Sequence, residues 1–176
     1  MKLIFQNLTV GKFRADYFFY VIPIFLFFNL FFKWEYTPTT TPDSFVYFSI
    51  AEQFPSLVNS SFPLGYPLIL KFANLFVNDY LLSYKLICSI SLIFCLAYTR
   101  YKNFYWKEIW LMLCFKPFIQ LFPYAWSEVI IIPLILYFIH TNFLYLKNQI
   151  SNRRFIILNS VIVIFMIITK YNSIFN

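Results

Sequence analysis

Three charged residues in this apolar chain are the strongest candidates for chemistry. Asp43 lies in the stretch TPDSFVYFSIAEQ, Glu128 in PYAWSEVIII and Lys170 in ITKYN. A carboxylate held at the boundary between water and lipid can act as a general base toward an incoming hydroxyl or amine. A lysine at the same boundary can pair with a phosphate group. These residue types predict base catalysis by Asp43, with Glu128 and Lys170 binding substrate near the membrane surface.

A purely structural role is open for each of these residues. Asp43 follows Pro42 and is placed to cap the N-terminus of a helix, where the positive end of the helix dipole favours an acid. Ser127 is placed in the same way before a helix that carries Glu128 in its first turn. Lys170 can extend its long side chain to the membrane interface without binding a substrate. From the sequence alone, Ser127, Glu128 and Lys170 can have either these structural roles or a role in substrate binding.

The string SSFPLGYPLIL, from Ser60 to Leu70, predicts a rigid return of the chain to the membrane. Pro63 and Pro67 bias the residues before them to extended conformations, and Gly65 permits a turn. Pro67 also suits a position near the start of a helix. Tyr66 is then either an aromatic anchor at the interface or a side chain that binds substrate in a cavity below it.

The composition places the chain among membrane proteins. Its 176 residues are 61% hydrophobic and only 12% charged, whereas a soluble domain has about 45–50% apolar and about 25% charged residues. The net charge of +7 does not predict a nucleic-acid partner, because the basic residues lie between apolar runs rather than in one stripe. The three cysteines lie in apolar segments, and no nucleotide-binding or zinc-protease motif is present, so no metal and no cofactor is expected.

Five apolar runs predict an all-α, polytopic transmembrane bundle with about five membrane segments. The third run is short and interrupted at Lys116-Pro117, which predicts a broken or partly re-entrant helix that brings Lys116 to a substrate site. A short amphipathic helix on the membrane surface is expected in the first outer loop, beginning at Asp43. The five runs are Tyr17–Phe32, Tyr80–Tyr98, Ile109–Phe122, Val129–Leu146 and Phe155–Thr169.

Basic residues occur in alternate loops, and this pattern predicts the orientation. They precede the first run and lie between the second and third and between the fourth and fifth runs, whereas Trp34–Tyr66 contains no Lys or Arg. Because cytoplasmic loops of membrane proteins carry an excess of Lys and Arg, the N-terminus is expected in the cytoplasm and Trp34–Tyr66 outside. No cleavage-site pattern follows the first run, so an uncleaved anchor is expected there.

In this order, the stretches PDSFVYFSIAEQ and SSFPLGYPLIL and an SE pair that opens a later helix resemble the N-terminal part of GT-C fold glycosyltransferases. That family includes protein O-mannosyltransferases and the aminoarabinose transferase that acts on lipid A. The resemblance extends from about Ala15 to Tyr171. It implies an enzyme that transfers a hexose or pentose from a polyprenyl-phosphate donor to a lipid, glycan or protein acceptor, at the outer face of a bacterial inner membrane.

The resemblance implies a role for each candidate by its position. Asp43 corresponds to the acid of the first outer loop, which serves as the catalytic base toward the acceptor. Tyr66 lies in the segment that corresponds to the proline-rich return beside the substrate cavity. Ser127 and Glu128 correspond to the pair that faces that cavity, and Lys170 falls where a basic residue often follows the fifth helix.

The chain departs from the family pattern in two respects. Many relatives have two adjacent acids in the first outer loop, whereas Ser44 follows Asp43 here. Family members usually run to several hundred residues with further helices and often a soluble outer domain. Residues 1–176 are therefore expected to be a single transmembrane domain, the N-terminal portion of a longer GT-C-like domain.

Two other classes of function compete with this interpretation. A transporter or flippase would account for Lys116 in a broken helix, since discontinuous helices often line sites at the membrane midplane. It would not account for Asp43 and Glu128 on one face of the membrane. A non-catalytic membrane assembly protein is the third alternative.

Overall fold

The computed structural model describes residues 16–36, 40–56 and 62–170, and every regular element within them is a helix. The prediction of an all-α protein is therefore confirmed for these residues. The helices, numbered in chain order, are α1 (Asp16–Phe19), α2 (Val21–Tyr36), α3 (Pro42–Gln53), α4 (Gly65–Val77), α5 (Tyr80–Tyr101), α6 (Trp106–Leu113), α7 (Lys116–Leu121), α8 (Glu128–Leu146) and α9 (Asn152–Thr169).

Three of these helices, α5, α8 and α9, are long and apolar enough to cross a membrane. They correspond to the second, fourth and fifth of the predicted runs. In place of the first run, the chain forms α1 and α2, which are separated at Tyr20. In place of the third run it forms α6 and α7, and the predicted break at Lys116-Pro117 is confirmed. Pro117 has no N–H with which to bond the carbonyl of Leu113, so one continuous helix is disfavoured there.

Hydrogen bonds between the long helices give their relative directions. The hydroxyl of Tyr98, near the end of α5, bonds to Nδ1 of His140, near the end of α8. The hydroxyl of Tyr84, near the start of α5, donates to the carbonyl of Pro123, shortly before α8, so these two helices run in parallel. The hydroxyl of Thr141 in α8 donates to the side-chain oxygen of Asn159 in α9 at 2.7 Å. Because the start of α8 also meets the residue after α9, Lys170, α8 and α9 form an antiparallel hairpin.

This arrangement gives the bundle two chemically different ends. The first, called here the acidic end, comprises the starts of α3, α4 and α8 and the end of α9, and it carries Asp43 and Glu128. The second, called here the basic end, comprises the ends of α5 and α8 and the starts of α6 and α9. The described basic residues of that end are Arg100, Lys102, Lys107, Lys147, Arg153 and Arg154.

Apolar side chains from six of the described helices form one core between the two ends. Leu30, Leu70, Leu92, Leu113 and Val129 are all at most 1% exposed. Many outward-facing apolar side chains remain exposed, above all on α9. In a membrane this surface faces lipid, where helix association depends on close packing rather than on the hydrophobic effect.

The helix of the first outer loop is present, but its side chains are not sorted by polarity as the amphipathic prediction required. α3 buries the polar Ser44 together with Tyr47 and Ile50, while the ring of Phe45 is 62% exposed. The prediction is wrong in this respect because α3 packs against α4 rather than only against a membrane surface. Its buried face is chosen by neighbouring helices, and a buried serine is tolerated where it finds a hydrogen-bond partner.

Candidate functional site

Thr41, rather than Asp43, caps the N-terminus of α3. The backbone N–H of Ser44 donates to the Thr41 hydroxyl at 3.4 Å, and the backbone N–H of Thr41 donates to the Ser44 hydroxyl at 3.0 Å. This reciprocal pair satisfies two backbone donors at the helix start. Asp43 lies in the first turn with an exposed side chain. The interpretation of Asp43 as the N-cap is therefore wrong, and its carboxylate remains available to solvent.

Two long-range hydrogen bonds fix the start of α3 against the segment before α8. The Ser44 hydroxyl donates to the carbonyl of Ala125 at 3.2 Å, and both residues are fully buried. The indole N–H of Trp126 donates to the Thr41 hydroxyl at 3.1 Å. These bonds hold the first turn of α3, and with it Asp43, at the same end of the bundle as Glu128.

Gly65 allows α4 to begin directly against the end of α9. A Cβ atom added at Gly65 would lie 2.5 Å from the carbonyl oxygen of Ile168 and 2.8 Å from its carbonyl carbon. Only a residue without a side chain fits so close to another backbone. The described part of the predicted return, residues 62–70, is therefore packed against α9 at Gly65, and the next residue, Tyr66, lies inside the bundle.

Tyr66 is completely buried, so its interpretation as an exposed interfacial anchor is wrong. The rings of Tyr47 and Tyr66 meet edge to face, with their centroids 5.0 Å apart. Burial raises the pKa of the Tyr66 phenol well above its usual value, so the hydroxyl stays protonated. Its hydroxyl is the single buried side-chain N or O atom of the described residues that lacks a hydrogen-bond partner.

Tyr47 lies within the influence of both acids, and no sequence pattern distinguishes it. Burial raises the pKa of its phenol, a side-chain hydrogen bond with Ser127 lowers it, and the negative charges of Glu128 and Asp43 raise it further. The phenol therefore lies within the electrostatic influence of both carboxylates. Tyr47 is one of 14 tyrosines in the chain, and only the packing of α3 distinguishes it from the others.

Glu128 and Lys170 form an ion pair that closes this end of the bundle. The Lys170 ammonium group contacts Oε1 of Glu128, and both side chains are partly exposed. The hydroxyl of Ser127 lies 3.4 Å from the other carboxylate oxygen of Glu128. Ser127 occupies the N-cap position of α8, with Glu128 in the first turn as predicted, but its side chain makes no capping hydrogen bond. Its hydroxyl contacts Glu128 instead, beside the ion pair with Lys170.

Lys116 lies apart from this group. Its side chain is exposed at the first residue of α7, and no described contact joins it to Asp43, Glu128 or Lys170. A groove of about 480 Å³ lies nearby, and its lining does not include Lys116. The groove is lined by Thr41, Pro117, Gln120, Leu121, Tyr124 and Trp126.

The chemistry available at the acidic end is acid–base and electrostatic. Among residues 16–36, 40–56 and 62–170, no group of three or more His, Cys, Asp or Glu side chains could hold a metal ion. The end offers one exposed carboxylate on Asp43, one carboxylate on Glu128 that is already paired with a cation, and two buried phenols. Such a set can accept a proton, bind an anion and donate hydrogen bonds to a neutral oxygen.

Comparisons with known proteins identify no relative, since no family model, curated protein or solved structure matches the chain.

Proposed function

We propose that the acidic end is a sugar-transfer site that uses a polyprenyl-phosphate-linked donor. The observation that carries the proposal is the set of contacts Ser127–Glu128–Lys170, with the Tyr47 phenol under the electrostatic influence of both Glu128 and Asp43. This set combines a cation for a phosphate, a free carboxylate for a proton and phenols for sugar hydroxyls. It lies at one end of a bundle whose exposed apolar surface can hold a lipid tail.

Binding of the donor phosphate requires an exchange of partners at Lys170. The ammonium group is paired with Glu128 in the structure, so an incoming phosphate has to replace that carboxylate. Because the pair is partly exposed, the exchange costs little, as expected of exposed ion pairs in general. Glu128 keeps its neighbour Ser127 and becomes free to accept a hydrogen bond from the sugar.

Asp43 is the group that activates the acceptor in this proposal. Its carboxylate takes the proton of the acceptor hydroxyl, and the acceptor oxygen forms a bond to the anomeric carbon of the sugar. The bond between that carbon and the phosphate oxygen breaks, and the lipid phosphate leaves with the electron pair, stabilised by Lys170. The configuration at the anomeric carbon is inverted.

The proposal places the chain in a membrane as a multi-pass protein. With the N-terminus in the cytoplasm, the basic end faces inward and the acidic end outward. The interrupted helices α1–α2 and α6–α7 then act as the remaining two of five membrane segments, in a bacterial inner membrane. The acceptor is a lipid, a glycan or a protein that carries a hydroxyl or an amine and reaches the site from outside.

The test is the transfer of labelled sugar from a polyprenyl-phosphate donor in membranes that contain the protein. Asp43→Asn removes only the negative charge and the basicity. We expect transfer to fall by about 10²–10⁴-fold, the usual contribution of a general base. Because Thr41 forms the cap of α3, thermal stability in detergent should not change.

Glu52→Gln is the matched control, because Glu52 is an exposed acid on the same helix. Its transfer rate and stability should equal those of the unmodified protein. Transfer at the normal rate by the Asp43→Asn protein contradicts the assignment of the base.

A transporter is the alternative function, and Lys116 in a broken helix would favour it. Lys116 is exposed at the start of α7, however, so it does not lie in an enclosed site at the membrane midplane.

A further inference from the structure

The hydroxyl of Tyr66 lacks a partner of the kind that the hydroxyl of Tyr84 possesses. The Tyr84 hydroxyl donates to the carbonyl of Pro123 at 3.2 Å. Tyr66 is fully buried beside Tyr47, with the ring centroids 5.0 Å apart, and no described atom pairs with its hydroxyl. The difference marks one position within the candidate site.

An unpaired buried hydroxyl is costly, and a phenylalanine would avoid the cost. Leaving a buried donor without a partner is destabilising, and Phe differs from Tyr only by that hydroxyl. The chain contains 25 Phe. If only an aromatic ring were needed at position 66, a phenylalanine would supply it. The position therefore points to a partner outside the described residues.

We propose that the Tyr66 hydroxyl donates a hydrogen bond to a neutral oxygen of the bound substrate, a hydroxyl of the transferred sugar. This inference rests on the proposed function and specifies how the donor lies in the site. The phosphate is at Lys170, and the sugar extends inward toward Tyr66. The ring centroid of Tyr47 lies 5.0 Å from that of Tyr66. The Tyr47 side chain therefore has to change its rotamer to admit the sugar.

The charges around Tyr66 favour a neutral partner over an anion. Among the groups that influence its phenol electrostatically, the charged one is the carboxylate of Glu128, and the others are Cys88, Tyr47 and Tyr84. A negative carboxylate repels a phosphate and attracts a hydroxyl, which can donate to Glu128 while it accepts from Tyr66. A water molecule shares this chemistry, so the experiment has to separate a sugar hydroxyl from bound water.

The experiment compares Tyr66→Phe with Tyr84→Phe, the matched control that loses a protein hydrogen bond. Each protein is titrated in detergent with a polyprenyl phosphate and with the same lipid phosphate carrying one hexose. Dissociation constants come from the rise in unfolding temperature with ligand concentration. We expect Tyr66→Phe to keep or raise the unfolding temperature of the free protein, and Tyr84→Phe to lower it.

With ligand, Tyr66→Phe should bind the hexose-bearing lipid about two- to tenfold more weakly and the sugar-free lipid unchanged. A Tyr66→Phe protein that loses as much stability as Tyr84→Phe indicates a structural water, and the inference is then wrong. Unchanged hexose-lipid affinity also overturns it, while the proposed function stands. If the unmodified protein responds to neither lipid, the proposed function and this inference both fail.

Discussion

Hydrogen bonds join helices at both ends of the bundle, but the two ends differ in their exposed charges. At the acidic end, buried side chains bond to partners far along the chain: Ser44 to Ala125 and Trp126 to Thr41. These partners are 81 and 85 residues apart in the sequence. Each bond therefore fixes one helix relative to another, and the site geometry depends on all of them.

At the basic end, exposed cations lie over aromatic rings that are mostly close in sequence. The guanidinium of Arg100 is 5.0 Å from the ring of Trp106, and the ammonium of Lys102 is 4.7 Å from the ring of its neighbour Tyr101. Contacts of this kind contribute about 0.5–1 kcal/mol at exposed sites. They lie beside bonds that join helices at this end, those of Tyr98 with His140 and of Trp110 with Thr99.

The difference suggests separate roles for the two ends. The acidic end determines the geometry of the candidate site, and the basic end determines the orientation of the protein in the membrane. Buried polar networks fix a unique geometry because an unmade bond is expensive inside the protein. Exposed charges are cheap to rearrange, but they determine which side of a membrane a loop prefers. Three substitutions test this division.

The largest effect is expected from Gly65→Ala at the acidic end. The added methyl group meets backbone atoms of Ile168, which cannot rotate away as a side chain can. We expect a loss of about 3 kcal/mol in the free energy of unfolding, at the upper end of typical overpacking costs. Chemical unfolding in detergent measures it.

The double variant Gly65→Ala with Ile168→Ala is the control for that prediction. It removes the Ile168 side-chain atom that would lie 2.9 Å from the new Cβ but leaves the two backbone atoms in place. It should therefore not recover the lost stability. Full recovery would show that a side chain alone, and not the backbone, requires glycine at this position.

An intermediate effect is expected from Ser44→Ala. The change removes the donor to the Ala125 carbonyl, which is buried, and one half of the reciprocal cap of α3. We expect a loss of about 1–2 kcal/mol by the same measurement. Ser49→Ala, on the exposed face of the same helix, should stay within about 0.5 kcal/mol. Equal losses in both variants would contradict a special role for the buried bond.

The smallest effect on stability is expected at the basic end. Arg153 and Arg154 are exposed, and neither forms a salt bridge within the described residues. Replacing both by Gln should change stability by less than about 0.5 kcal/mol per site. A cysteine introduced at the exposed Ser56 then reports orientation through labelling with a membrane-impermeant reagent in intact cells.

We expect labelling in the otherwise unmodified protein, because Ser56 lies in the loop predicted to be outside. Labelling should fall when Arg153 and Arg154 are both replaced, since fewer cations then hold the basic end inward. Protection of Ser56 before any arginine is changed would reverse the proposed orientation. A large stability loss would instead show that the basic end is packed as specifically as the acidic one.

The sequence was sufficient for the features that depend on local pattern. Apolar runs of adequate length identified α5, α8 and α9, and Pro117 marked the break between α6 and α7. The sequence also identified Glu128 and Lys170 as candidate site residues, because charges beside long apolar runs are rare. These features follow from hydropathy and backbone chemistry, which act over a few neighbouring residues.

The tertiary structure decided which polar side chains meet. Thr41 and Asp43 are both good N-cap residues by type, and only the contact with Trp126 and Ser44 shows that Thr41 has the role. Tyr47 and Tyr66 are ordinary tyrosines in a chain rich in aromatic residues, until α3 and α4 bury them beside Glu128. Their roles depend on partners distant in the sequence, and no local pattern encodes the distance between two helices.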